Sequence, residues 1–383
     1  MRLMSMTILL IIGLMAAAQP EPQSAGNRVN LERASSSRNC PKTIPDLDRH
    51  LQIERDTQRI LEEAQMPIMK TLNKTFDVSF HVIRTNSGTT GNVTATQINN
   101  QMNVLNAAFS ASGISFSLIS TEYVNNTTWY NMGYDSSTER TAKSALRDGN
   151  SQTLNVYTAN GDGLLGWATW PWEYGGDRDM DGVVVNFRSL PGGSQTNFNE
   201  GDTLVHEVGH WLGLYHTFEN ECSSPGDHVG DTPPHKENNG CPASNTNTCS
   251  GGGNDPIDNF MNYVNDPCMD TFTTGQFDRM IDKILAYRPR PIISVTVSGP
   301  SSRNPNQSGT WNVSVYGGYG PYTYSWFKTY DGGFTNLGSS SSQTTSHPNS
   351  FNIICDVTGS EGSFNTNYLF VDVDGPLGGP IFH

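Results

Sequence analysis

Residues 206–216 read HEVGHWLGLYH, and this stretch predicts both a helix and a metal site. Residues four apart lie on one face of a helix, so the imidazoles of His206 and His210 come close enough to share one ion. Gly213 adopts a positive φ angle at little cost, which ends the helix and lets His216 return as a third ligand. Three imidazoles with one open coordination position are typical of a catalytic zinc ion rather than a structural one.

Glu207 lies beside the two helical ligands but is offset from them, so it can reach a water molecule on the ion without being a ligand. Zinc lowers the pKa of bound water from about 15.7 to near 7, and Glu207 would take the proton and pass it to a leaving amine. The pattern predicts hydrolysis of peptide bonds. The alternative is an amphipathic helix with two solvated histidines, which the glycine and third histidine at their offsets disfavour.

The composition is that of an acidic chain with room for two or three domains: 383 residues with a net charge of -14. No basic run stands out, so nucleic-acid binding is disfavoured. The acidic balance suits a secreted protein or one that binds calcium.

Residues 1–18 are predicted to form a signal peptide. Arg2 supplies a positive charge, residues 8–15 form a short apolar core, and residues 16–18 are alanines at a cleavage site. The core is too short for a membrane span, although a membrane-anchoring helix is the alternative interpretation. No other stretch could cross a bilayer, so we expect a secreted, extracellular protein.

Residues 19–72 are predicted to be a pro-segment with a helix over residues 46–63. Cys40 lies in this segment, and a thiolate is a good zinc ligand. Delivered to the open coordination position, Cys40 would keep the enzyme latent. A disulfide to Cys355 and an inert free thiol are the alternatives.

Strands alternate with helices in residues 73–288, which predicts an α/β layer with the metal helix packed on a sheet. A helix capped by Thr94 or Thr96, a helix over residues 141–147 and a last helix capped by Thr274 are expected. The predicted strands are residues 76–83, 114–119, 154–157, 164–170 and 183–186.

The fourth of these strands is predicted to lie at a sheet edge, because Pro171 directly after it cannot sit in the centre of a sheet. An exposed edge beside a metal site can pair with an extended substrate through backbone hydrogen bonds. The alternative is an ordinary edge covered by tryptophans. The candidate substrate-binding residues are Gly166, Trp167, Ala168 and Thr169.

Little regular structure is expected in residues 219–270. Asp227, Asp231 and Thr232 make an oxygen-rich loop that could hold calcium, and a solvated acidic loop is the alternative. Four of the six cysteines also lie here, and disulfides are expected in an exported protein. Spacing alone leaves three pairings open for Cys222, Cys241, Cys249 and Cys268.

Residues 289–383 show short alternating strands separated by turns rich in Gly, Ser and Asn, which predicts an all-β sandwich. Cys355 falls on an inward position of one strand, where a buried, inert thiol is expected.

With these residues in view, the chain resembles the pappalysin-like metzincins, specifically the cytophagalysin-type secreted metalloproteases. The resemblance covers about residues 75–288. It is carried by HEVGHWLGLYHTF at 206–218, GDTP at 230–233, GCP at 240–242 and DNFMNY at 258–263.

This resemblance implies an α+β protease domain with a mixed, twisted sheet, an irregular C-terminal lobe and a Met-turn. His206, His210 and His216 would bind zinc, with Glu207 as the general base. Met261 would form the hydrophobic floor under the metal, and Tyr263 would help to hold the transition-state oxyanion.

The resemblance also implies disulfides Cys222–Cys249 and Cys241–Cys268, calcium in the loop of Asp227, Asp231 and Thr232, and substrate binding along the predicted edge strand. Pro-segments of such enzymes often contain Arg-x-Cys-Gly-Thr, whereas Pro41 and Lys42 follow Cys40 here. The tail resembles immunoglobulin-like or PKD-like modules of secreted enzymes.

Together these observations predict a secreted zinc endopeptidase that is made as a zymogen and cleaves proteins or peptides. The tail is a candidate for binding a surface or the substrate. The alternative is a catalytically inactive surface-binding or adhesion protein that acts through its β-sandwich. The intact set of His206, Glu207, His210, His216 and Tyr263 favours the enzyme.

Overall fold

A computed structural model of the chain describes residues 47–63, 72–288, 294–317, 322–359 and 364–373. The predicted signal peptide and Cys40 lie outside the described residues. No helix of the described parts is both long enough and apolar enough to span a bilayer. Their helices are α1 (Leu47–Glu63), α2 (Ala95–Phe109), α3 (Thr127–Tyr130), α4 (Ser137–Leu146), α5 (Asp202–Trp211) and α6 (Thr274–Tyr287).

A five-stranded mixed sheet forms the centre of the protease region, in the order β2-β1-β3-β5-β4. The first four strands in this order run parallel, and β4 runs antiparallel to β5 at the sheet edge, as Pro171 predicts. The strands are β1 (Lys74–Arg84), β2 (Ile114–Asn125), β3 (Thr153–Ala159), β4 (Gly166–Ala168) and β5 (Val183–Asn186).

The apolar periodicities of the sequence place one core between the sheet and helices α2, α5 and α6. The Thr94 side chain caps α2 within a capping box with Gln97, which fixes where the apolar face of the helix begins. Buried members of this core include Phe76 and Val78 of β1, Ile98 and Leu105 of α2, Val205 and Val208 of α5, and Met280 and Ile284 of α6.

A buried ion pair closes the end of this region. Arg288, directly after α6, donates hydrogen bonds of 3.0 and 2.8 Å to the two carboxylate oxygens of Asp181. The guanidinium carbon also lies 3.4 Å from the ring centroid of Trp211, the last residue of α5. The pair therefore ties the end of α6 to the end of the helix that carries the metal motif.

Several predicted boundaries are wrong. The second predicted strand, residues 114–119, continues to Asn125 in β2. The edge strand has three residues instead of residues 164–170, because the left-handed φ angles of Asp162 and Gly163 precede it and Pro171 begins a helical turn after it. Helix α4 begins before residue 141, because the Ser136 hydroxyl accepts a hydrogen bond from the Glu139 amide. Thr273, not Thr274, caps α6 by accepting from the Gln276 amide.

The C-terminal region is rich in β-structure, with a five-stranded sheet in the order β10-β9-β12-β13-β7 and a three-stranded sheet in the order β11-β8-β6. Both sheets contribute to one core, in which Trp311, Trp326, Ile353 and Cys355 are fully buried. Burial raises the pKa of the Cys355 thiol to about 12, so this thiol is unreactive at neutral pH. The strands are β6 (Ser294–Ser298), β7 (Ser302–Arg303), β8 (Gly309–Tyr316), β9 (Thr323–Tyr330), β10 (Gly333–Gly338), β11 (Ser342–Thr345), β12 (Phe351–Thr358) and β13 (Phe364–Val373).

Candidate active site

Helix α5 carries the metal motif and is buried at every residue. His206 and His210 lie one turn apart on it, and Gly213 then takes a φ angle of 98°. A Cβ atom at Gly213 would also come within 2.6 Å of the Lys283 Cγ atom, so only glycine makes this turn without strain. The chain reverses there, and His216 returns to the two helical histidines as the sequence predicts.

The three imidazoles converge on one point. The Nε2 atom of His210 lies 3.2 Å from that of His206 and 3.1 Å from that of His216. Zn–N bonds of about 2.0–2.1 Å in tetrahedral geometry place two ligand nitrogens roughly 3.3 Å apart, so the donor set fits zinc. Among the described residues, this triad is the group of three or more His, Cys, Asp or Glu side chains that could hold a metal ion.

Backbone carbonyls fix the tautomers of two ligands. The Nδ1–H groups of His206 and His210 donate to the carbonyl oxygens of Phe260 and Leu214, each at 2.7 Å. The Nε2 lone pairs are therefore available to a metal ion. Burial also lowers the pKa of His210 to about 4, which keeps this ring neutral at physiological pH.

Glu207 is buried against the edge strand. A Cβ atom at Gly166 of β4 would lie 2.7 Å from the Glu207 Cγ atom and 2.9 Å from its Oε1 atom. The bare backbone of β4 therefore packs directly on this carboxylate side chain, in the turn of α5 that also carries the two helical histidines.

Met261 and Tyr263 both lie close to the histidine triad. A Cβ atom at Gly209 would come within 2.4 Å of the Met261 sulfur, so Met261 packs directly on α5 between the two helical histidines. The Tyr263 ring centroid lies 4.7 Å from that of His216 and 5.9 Å from that of His206. The phenol ring is thus in contact with the metal-ligand rings.

Two further rings contact the ligands, although the sequence places neither of them at the metal site. Phe218 stacks on His216 with ring centroids 4.9 Å apart, and Trp170 meets His210 edge-on at 5.1 Å. Phe218 lies within the quoted family string, which is the signal that could have found it. Trp170 comes from the edge-strand loop, and no local pattern links it to His210.

Among the described strands, β4 pairs with β5 alone, so its other side is a free edge of the sheet. Its side chains are anchored away from solvent: the Trp167 indole donates to Glu139 Oε1 at 2.7 Å, and Glu139 forms a buried ion pair with Lys143 at 2.8 Å. The Thr169 hydroxyl donates to the carbonyl oxygen of Met180. These contacts hold the predicted substrate-binding residues in a fixed position.

The predicted calcium ligands have partners of their own. The Thr232 hydroxyl donates to Asp227 Oδ1 at 2.8 Å, whereas Asp231 accepts from the Thr273 hydroxyl at 2.7 Å and from the Gly275 amide at 2.8 Å. Asp231 therefore binds the N-terminus of α6. Burial raises the pKa of Asp227 to about 7, because the loss of hydration outweighs the hydrogen bonds from Thr232 and Val229 and the charge of Arg279.

Two disulfides, Cys222–Cys249 and Cys241–Cys268, cross-link the irregular segment between His216 and α6. This is the pairing that the resemblance implies.

Helix α1 of the predicted pro-segment packs on α6. Glu54 accepts hydrogen bonds from Arg279 at 2.9 Å and from Lys283 at 3.0 Å. Arg279 in turn donates to the carbonyl oxygen of Gly213 at 2.9 Å. His50 stacks on Tyr215, the neighbour of His216, with ring centroids 4.4 Å apart. The helix therefore contacts the turn that delivers the third metal ligand.

Comparisons with known proteins agree with this geometry. The peptidase M43 family model, described as pregnancy-associated plasma protein-A, matches residues 135–285. An extracellular metalloprotease of Sordaria macrospora is 41% identical over 218 residues, which cover 55% of this chain and 75% of the relative. An extracellular metalloprotease of Neurospora crassa is 37% identical over 282 residues, which cover 71% of this chain and 95% of the relative.

Among solved structures, a complex of mirolysin is similar with 28% identity and a TM-score of 0.49, covering 55% of this chain and 91% of that chain. The alignment to the Neurospora protein spans nearly all of that relative. The chain therefore belongs to the pregnancy-associated plasma protein-A family of metallopeptidases, and it is an extracellular metalloendopeptidase with a histidine triad that fits zinc.

Proposed function

We propose that the protein hydrolyses peptide bonds with zinc held by His206, His210 and His216 and with Glu207 as the general base. The observation that carries this proposal is the packing of Glu207 against Gly166, within the helical turn that carries the converging imidazoles. Zinc, when bound, supplies a Lewis acid that polarises the carbonyl group and acidifies water. Glu207 takes the proton of the attacking water and delivers it to the leaving nitrogen.

Tyr263 is the proposed donor to the oxygen that becomes negatively charged in the transition state. Its ring lies against the rings of His216 and His206, which supports this role. A preorganised donor in a site that excludes water stabilises developing charge strongly. Met261, in the proposed Met-turn, would keep the floor beneath the ligands apolar.

The substrate would bind as an added strand along β4. Gly166, Trp167, Ala168 and Thr169 present the backbone of the strand edge beside Glu207. An extended peptide that pairs there brings its backbone carbonyl groups to the catalytic carboxylate. Protein or peptide substrates follow from this mode of binding.

The proposed domain organisation is a signal peptide at residues 1–18, a pro-segment at 19–72, a catalytic domain at 73–288 and an immunoglobulin-like or PKD-like β-sandwich at 289–383. Latency would come from the pro-segment. The contacts of α1 with α6 and with Tyr215 support this part of the proposal. Cys40, the proposed zinc ligand of the latent state, lies outside the described residues.

Calcium is the proposed structural ion of the loop that contains Asp227, Asp231 and Thr232. The raised pKa of Asp227 supports this, because a bound cation would compensate the buried carboxylate. The tail would bind a surface or the substrate. No described residue favours the inactive adhesion protein, since the triad and Glu207 are all present.

The proposal is tested by cleavage of a quenched peptide library with the full chain, before and after limited proteolysis, and with and without a zinc chelator. Glu207→Ala serves as the parallel control. Cleavage that is lost both with the chelator and in the variant supports the proposal. A zinc-loaded, folded and processed wild type that cleaves nothing would refute it.

A further inference from the structure

A buried polar network lies within the irregular segment between His216 and α6. It reaches the residue after the ligand His216 and the residue before Tyr263. Its members are polar side chains that are at most 6% exposed and that form one connected set of contacts: Thr217, His235, Asp255, Asn238 and Asn262. None of them has a role in the proposed reaction.

One arm of the network starts at Thr217, the residue after the ligand His216. The His235 Nδ1–H group donates to the carbonyl oxygen of Lys236 at 2.8 Å, so its Nε2 atom accepts from the Thr217 hydroxyl, also at 2.8 Å. The Thr217 amide donates to the carbonyl oxygen of Met261 at 3.2 Å. His235 thereby holds the segment that follows the third ligand.

The other arm starts at Asn262, between Met261 and Tyr263. Its Oδ1 atom accepts from the Tyr263 amide at 2.8 Å, and its Nδ2 group donates to Asn238 Oδ1 at 3.0 Å. Asn238 donates onward to Asp255 Oδ2 at 3.0 Å. The backbone of Tyr263 is therefore connected to Asp255 through two amide side chains.

The centre of the network is anchored in the cross-linked loop. Asp255 accepts two more hydrogen bonds, from the amide and the hydroxyl of Thr248, each at 2.9 Å. Thr248 directly precedes the disulfide residue Cys249. The carboxylate also lies 4.0 Å from His235 Nδ1, which brings the two arms together. Burial lowers the pKa of His235, so this ring is neutral and has one acceptor to offer.

The donors and acceptors of this network all find hydrogen-bond partners in one arrangement of the side chains. A buried donor or acceptor left without a partner costs about 1–3 kcal/mol, so rotation of either amide is opposed. Each Asn side chain uses its oxygen and its nitrogen toward different neighbours. The network therefore fixes the backbone of Tyr263 relative to the segment that carries His216.

We propose that Asn238 is a positioning residue, which acts through Asn262 to hold the Tyr263 phenol beside the metal-ligand rings. This inference rests on the proposed role of Tyr263 in the reaction. The Asn238 side chain bonds to Asn262 and Asp255, and we expect its effect on turnover to pass through Tyr263.

The test is a double-mutant cycle with Asn238→Ala, Tyr263→Phe and the double variant, in the full chain after processing. Tyr263→Phe is expected to lower kcat about 10²–10³-fold, as removal of an oxyanion donor does. Asn238→Ala is expected to lower kcat about tenfold or more, with KM and bound zinc retained. In the Tyr263→Phe background, Asn238→Ala should have no further effect on kcat.

The matched control is Asn106→Ala. Asn106 makes three side-chain hydrogen bonds, to Met102 and Phe116, but it joins α2 to β2 away from the site. It should lose stability while its kcat stays unchanged. If Asn238→Ala does not fold, Asp255→Asn probes the same network at constant volume, and its loss of kcat should also disappear in the Tyr263→Phe background.

A second readout does not depend on activity. In protein labelled with ¹³C at tyrosine rings, the Tyr263 signal is assigned by its loss in Tyr263→Phe. That signal should move in Asn238→Ala and stay in place in Asn106→Ala.

The outcomes separate two failures. Full activity of Tyr263→Phe would refute the oxyanion role and the inference with it. Loss of activity in Tyr263→Phe, combined with an independent multiplicative loss from Asn238→Ala or an unmoved ring signal, would refute the inference alone.

Discussion

Gly166 and Glu207 are packed so closely that a single methyl group does not fit between them. A Cβ atom at Gly166 would lie 2.7 Å from the Glu207 Cγ atom and 2.9 Å from the carbonyl oxygen of Val184. The backbone on one side cannot retreat without breaking the β4–β5 pairing, so the carboxylate must move.

We therefore expect Gly166→Ala to lower kcat/KM by about 10²-fold, since misplacement of a catalytic group by about 1 Å has this effect. Bound zinc should stay at one ion per chain. Gly176→Ala is the matched control, because its nearest contact would be the Glu173 carbonyl oxygen at an ordinary 3.6 Å. Equal activities of the two alanine variants would contradict the expected displacement of Glu207.

Glu207→Gln keeps the volume of the side chain but removes its basicity. General-base catalysis contributes typically about 10²–10⁴-fold, and kcat should fall within this range while metal content and KM remain close to wild type. Metal analysis and steady-state kinetics on the same preparation check both parts. Removal of zinc by a chelator should abolish the activity of the wild type, and added zinc should restore it.

Docking of α1 is expected to weaken in acid. Burial alone would raise the pKa of Glu54, but the charges and hydrogen bonds of Arg279 and Lys283 outweigh burial and hold the pKa at about 2. A carboxyl group whose pKa is lowered in the folded state stabilises that state above its ordinary pKa of 4.5, and this contribution is lost as the pH falls toward 2.

Hydrogen exchange of the α1 amides, corrected for the intrinsic exchange rate, measures this effect. Protection should decrease between pH 4.5 and 2 in the wild type. Glu54→Gln should start with lower protection and show no such decrease. Protection that is constant with pH in both proteins would exclude Glu54 as the anchor.

The effect of pH on stability through Asp227 is opposite to that through Glu54. Its pKa is raised from 3.8 to about 7 by burial, so the folded state without a cation loses stability as the pH rises across this interval. Calcium, if it binds this loop, should remove the loss. The thermal midpoint is measured at pH 5 and pH 7, with and without calcium, for the wild type and for Asp227→Asn. Calcium should raise the midpoint of the wild type at pH 7 and leave that of the variant unchanged. A calcium response that persists in Asp227→Asn would place the ion elsewhere.

The ion pair of Asp181 and Arg288 is buried on both sides. Asp181→Asn leaves the guanidinium charge uncompensated, and breaking a buried pair in this way costs about 3–5 kcal/mol. The thermal midpoint should fall by several degrees, with kcat of the folded fraction unchanged. Arg140→Gln is the comparison, because its partner Asp177 is solvent-exposed and such pairs contribute about 0–1 kcal/mol.

The sequence predicts those parts of the site that depend on local spacing. The helical offset of His206 and His210 and the reversal at Gly213 need no knowledge of the rest of the chain. The contact of Gly166 with Glu207 and the hydrogen bond from Thr273 to Asp231 each join residues that are about forty positions apart, 42 in the second case. Local patterns carry no information about such contacts.

The same distinction explains the wrong boundaries. Alternation predicts residues 164–170 as one strand, but pairing with β5 uses only three of them, and pairing is a property of the sheet. The sequence predicts Asp231 as a candidate calcium ligand, and its bond to the start of α6 has no local signature because the two residues are 44 positions apart. Phe218 and the network of Asn238 have no periodic signature, because irregular segments are held by individual contacts.

The loops closed by the two disulfides overlap in sequence, because Cys241 lies between Cys222 and Cys249, and Cys249 lies between Cys241 and Cys268. Each position between the first and the last of these cysteines is therefore spanned by at least one covalent bridge. A protease that cleaves its own exposed loops would still keep both pieces together after any single cut in this interval. The cross-linked segment thus makes the wall of the active site tolerant of autolysis, which a linear loop of the same length would not survive in one piece.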